Sequence, residues 1–64
     1  MATAKQIKER LRSHIYQRIK DVRAFPDNKF YADVAYGAIW AANHAEAISD
    51  TERDRLLSEL KVVS

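Results

Sequence analysis

The chain has 64 residues, 47% of them hydrophobic and 31% charged, with one glycine, one proline and no cysteine. That length allows one small domain able to bury roughly 60% of its unfolded surface, and the missing cysteines exclude a disulfide framework, a thiolate nucleophile and a cysteine metal site. The net charge of +2 hides an asymmetry: residues 1–29 hold eight basic and three acidic side chains (+5), residues 30–64 three and six (−3).

Low glycine and proline argue against a sandwich or small barrel, which needs frequent turn residues. Abundant Ala, Glu, Lys, Leu and Arg favour helix. Three helices are predicted, at about 4–24, 28–47 and 50–62, making an all-α domain with a long helical hairpin and a short C-terminal helix. The first opens at Thr3, whose hydroxyl, with Gln6 three residues on, forms a capping box. Ile7, Leu11, Ile15, Ile19 and Val22 then recur at helical spacing along one face. Phe25-Pro26-Asp27-Asn28 stops it: the proline disfavours helix in the residue before it, and Asp27 or Asn28 can cap the next helix. A connection this short predicts antiparallel neighbours.

In the second helix Phe30, Val34, Ala38, Ala41, Ala45 and Ile48 form one stripe at about 100° per residue, expected as a core or dimer seam. Tyr31, Ala35, Ile39 and Ala42 widen it. Asp33, Tyr36, Gly37, Trp40, Asn43, His44 and Ala47 lie opposite. Gly37 costs about 1 kcal/mol relative to alanine in mid-helix, so close approach of another helix is expected there. Ser49 with Glu52 is a second capping box, and Leu56, Leu57 and Leu60 give the third helix a leucine-rich edge.

Function is legible mainly by elimination. His14 and His44 are the side chains suited to general-base work near neutral pH, and neither has a serine or carboxylate at relay spacing. Two separated histidines without cysteine give no metal-ligand pair, and one glycine gives no phosphate loop. No catalytic residue, cofactor or metal is therefore assigned. The N-terminus leads into charged residues without an apolar signal core. The most apolar stretch, 30–48, is interrupted by Asp33, Asn43, His44 and Glu46, so a cytoplasmic chain without membrane contact is expected.

What remains is binding. Tyr36 and Trp40, four residues apart and opposite the main stripe, are the aromatic types that dominate interfaces. With Tyr16, Arg12 and Arg23 they form the expected partner-binding set. Burial at this length only just offsets ordering, and the second helix is apolar nearly all round, so a homodimer through it is expected. The leading expectation is a non-enzymatic inhibitor or adaptor that modulates another protein by occupying its surface. In size and style the chain is like small accessory proteins of phages and mobile elements, an analogy carried by no motif. The alternative is nucleic-acid binding through Lys5, Lys8, Arg12 and Arg23 on one flank of the first helix, with Tyr16 beside them.

Overall fold

A computed structural model describes residues 2–63, with side-chain surroundings for residues 2–61. It contains three helices, α1 (Ala4–Ala24), α2 (Lys29–His44) and α3 (Asp50–Val63), and no strand among the described residues. The all-α expectation therefore holds, and its caps explain where the helices begin. Thr3 Oγ1 accepts from the Gln6 N–H at 3.1 Å while Gln6 Oε1 accepts from the Thr3 N–H at 2.9 Å, completing the capping box. Asn28, rather than Asp27, caps α2 by accepting from the Phe30 N–H. Ser49 Oγ accepts from the Glu52 N–H at 3.1 Å. The Glu52 carboxylate does not return to Ser49 but reaches α1, as described below.

The predicted end of α2 requires correction. The helix stops at His44, three residues early, and the chain turns with Glu46 at φ 61°. Glu46 N–H donates to the Asn43 carbonyl and Ala47 N–H to the Ala42 carbonyl, at 3.0 and 2.8 Å. That is the paired closure of a Schellman motif, usually built on glycine. It seats Ala47 and Ile48 in the core, so Ala47 is buried and not on a polar side.

The core joins Ile15, Ile19 and Val22 of α1, Ala35, Ile39 and Ala42 of α2, Ala47 and Ile48 of the turn, and Leu56 and Leu60 of α3. Ile7, expected on the same face of α1, is 48% exposed. With 21 residues against 16, α1 outruns α2 by about 7 Å, and its first apolar position has no helix beneath it.

The α2 seam also shifts as a core element. Its buried centre is Ala35–Ile39–Ala42, one residue and about 100° from the predicted stripe. Phe30 (68% exposed), Ala41 and Ala45 face solvent, and Val34 and Ala38 are half-buried. A Cβ built on Gly37 meets nothing within 4 Å, so none of the described residues makes the expected close approach.

The Cα envelope is 37 × 24 × 13 Å, nearly twice as wide as thick. α2 occupies the middle, packed on α1 and α3, while α1 and α3 touch little. Closed three-helix packing, with axes about 9 Å apart, gives similar width and thickness.

Candidate partner-binding surface

The surface begins where α3 crosses α2. Trp40 stands between Tyr36 and His44, one turn to either side, with ring centroids at 6.3 and 6.1 Å and edge-on planes. Arg53 of α3 lies over the indole, its guanidinium carbon 5.0 Å from the ring centroid. A cation at that distance is held by the negative face of the ring.

The same guanidinium is tied on its other sides. Nη1 donates to Asn43 Oδ1 at 3.2 Å and to Asp50 Oδ1 at 3.3 Å, and Nε donates to Asp54 Oδ1 at 2.9 Å. Asn43 in turn donates to Asp50 at 2.9 Å and to the Ile48 carbonyl at 3.4 Å. The side chain of Arg53 is only 20% exposed, whereas Asp50 and Asp54 are largely in water. Trp40 Nε1 is enclosed and has no acceptor among the described residues, so packing and the guanidinium hold the indole in place.

Tyr36 remains free of this cluster on one side, 54% exposed. It borders an open groove of about 340 Å³ between α2 and α3, lined by Ala32, Asp33, Leu57, Leu60 and Lys61. The walls are mainly aliphatic, with one acid and one base at the margin.

Tyr16 and Arg12 sit on the far side of the first turn of α3. Tyr16 Oη donates to Glu52 Oε1 at 3.3 Å, Arg12 Nη2 lies 3.6 Å from that oxygen, and Arg55 Nη2 lies 3.7 Å away. Glu52 is thus a shared acceptor pinning α3 to α1, and it neutralises part of the basic flank. Arg23, eleven residues or about 16 Å along α1 from Arg12, joins neither group. Of the five expected partner-binding residues, Tyr36 and Trp40 come together and Tyr16 and Arg12 come together. Glu52 and Arg53 separate the two pairs.

One exposed cluster was missed by sequence reasoning. At the α1–α2 connection Phe25 stacks on Tyr31 at 5.3 Å and Phe30 meets Tyr31 edge-on at 5.8 Å. Phe25 and Phe30 are 55% and 68% exposed. The signal was present in two phenylalanines flanking a proline turn, which places both rings at one tip.

No group of three or more His, Cys, Asp or Glu side chains that could hold a metal ion occurs among the described residues. No helix there is long and apolar enough to cross a membrane. Compared with known protein families, curated proteins and solved structures, the chain matches none of them.

Proposed function

We propose that the chain is a small non-enzymatic binding module, acting in the cytoplasm as a homodimer of helical hairpins, that modulates another protein by occupying a surface of it. The observation that carries this reading is Tyr36: a half-exposed ring, backed by a fixed indole, on the rim of a largely aliphatic groove of about 340 Å³. A rigid aromatic beside a groove is the local geometry of an interface anchor, because it buries much area and loses little side-chain freedom. In α2 the apolar strip of exposed Phe30, Ala41 and Ala45 with half-buried Val34 and Ala38 is the part of the chain offered to a second copy. The accessory-protein analogy, inhibitor or adaptor, rests on size alone.

The test uses Tyr36→Ala, which leaves the Arg53–Trp40 contact in place, and Trp40→Ala, which removes it. Both are compared with wild type for helicity and for retention of any stoichiometric partner, with Arg10→Ala as a surface control. A folded Tyr36→Ala protein should lose at least about tenfold in retention, the scale of a modest hot spot. If both folded variants keep every partner, the reading is wrong. A nucleic-acid partner would instead show retention that collapses with added salt. That alternative is weakened by the commitment of Arg12 and Tyr16 to Glu52.

A further inference from the structure

Helix α2 sits in the middle of a flat molecule and still leaves one side uncovered. The radius of gyration is 11.7 Å, against about 10.7 Å for a compact chain of this length. The accessible surface is 4626 Å², against about 4200 Å² for a compact monomer of this mass. Both departures match the flat packing, with the start of α1 overhanging α2 and one face of α2 left open.

The open side of α2 also has an internal order. Its large residues, Phe30 and Val34, lie toward the N-terminal end, and its small ones, Ala41 and Ala45, toward the C-terminal end. Gly37 and Ala38 are midway. An antiparallel copy centred at Gly37/Ala38 sets Phe30 against the partner's Ala45 and Val34 against the partner's Ala41. Large then meets small at both ends, as an isologous two-fold contact requires. At the centre, where two helices approach most closely, stands the glycine whose missing Cβ faces open space. A parallel arrangement would instead put Phe30 on the partner's Phe30 and alanine on alanine, leaving gaps at one end.

We infer that a second copy of this chain packs antiparallel on the exposed side of α2, with the two-fold axis at Gly37/Ala38. This rests on the homodimer part of the proposed function and adds the face, the direction and the register. It leaves Tyr36, on the α3 side of α2, outside the seam in both copies.

The natural absence of cysteine makes the test direct. In the full chain, Ala38→Cys should form a covalent dimer on mild oxidation with wild-type helicity, and Ser13→Cys on α1 should not. By sedimentation equilibrium, Ala41→Glu should weaken the dimer at least about a hundredfold, because two unpaired charges are buried per dimer. Should Ala41→Glu fail to fold, cysteine pairing carries the test. An equimolar mixture of Phe30→Cys and Ala45→Cys chains should form the mixed disulfide, and Phe30→Cys alone should not. A dimeric wild type in which Ala38→Cys does not cross-link and Phe30→Cys forms no mixed disulfide with Ala45→Cys would overturn the α2 face while leaving the homodimer standing. A wild type that stays monomeric at millimolar concentration would remove both.

Discussion

Arg53 is the side chain whose removal has the most traceable consequence. Truncation to alanine deletes a cation over the Trp40 ring at 5.0 Å and a donor to Asn43 at 3.2 Å. Those are worth about 1 kcal/mol each in a partly covered site. It also deletes ion pairs to Asp50 and Asp54, which are worth a few tenths each because both carboxylates are solvated. The side-chain entropy regained on truncation offsets part of the loss. Asn43 keeps its Nδ2 donations to Asp50 and the Ile48 carbonyl, while its partly buried Oδ1 loses the Arg53 donor and must turn to water. The expected net loss is about 1–2 kcal/mol, or about 5–15 °C in Tm for a domain of this size. Thermal melts at several protein concentrations would measure it, with emission from the single tryptophan as an independent probe. Uncovering the indole should shift that emission to the red. Arg53→Lys keeps the charge and loses the fork, and should fall between wild type and alanine. If Arg53→Ala melts within about 2 °C of wild type with unchanged emission, the guanidinium does not hold the α2–α3 junction.

Other consequences follow from backbone and core. Ile39→Ala empties a fully buried site and should cost about 2–5 kcal/mol in urea titration. That is a large share of the stability expected for 64 residues, so an unfolded or molten product at 37 °C is the anticipated result. Glu46→Gly relieves a left-handed residue whose exposed side chain makes no bond among the described residues, and should gain about 0.5–1 kcal/mol at low protein concentration. Glu46→Gln, which keeps the strain and removes the charge, should gain less. Gly37→Ala adds a Cβ into open space and should stabilise the protomer by about 1 kcal/mol. In the same variant self-association measured by light scattering should weaken, since the helix crossing is now filled. A variant that gains in both measurements would place the crossing elsewhere on α2.

The elements that were legible in the sequence are those settled by local chemistry. Thr3, Asn28 and Ser49 cap their helices with their own side chains, and the required spacing can be read within four residues. Helix α1 was equally plain, because isoleucine and leucine at 3–4 spacing contrast with lysine and arginine between them. Helix α2 lacked that contrast. Alanine occurs on nearly every side of it, so the periodicity fixes a helix but hardly its phase. Which alanines are buried was decided by where Ile15, Ile19 and Leu56 could reach. Its end was hidden for a related reason: the left-handed residue is glutamate, and the usual glycine signal is absent.

The surface shows the same division between near and far. Tyr36 and Trp40 were legible because they lie one turn apart on one helix. Their different fates were not, because Arg53 covers Trp40 from another helix and leaves Tyr36 open. In the same way Glu52, chosen by its position as a helix cap, is drawn to Tyr16 and Arg12 far away in sequence. The opposite charges of the two halves are therefore spent partly inside the molecule, at the α1–α3 contact. That contact makes Arg12 and Tyr16 a brace for α3, while Lys5, Lys8 and Arg23 on the same flank have no acidic partner among the described residues. The exposed apolar groups of α2 lie on two of its sides: Tyr36 on the side toward α3, and the Phe30-to-Ala45 strip on the side away from it. Under the proposed function, two separate surfaces on one helix would let a second copy and a different protein bind at the same time, whereas a single surface would force them to compete.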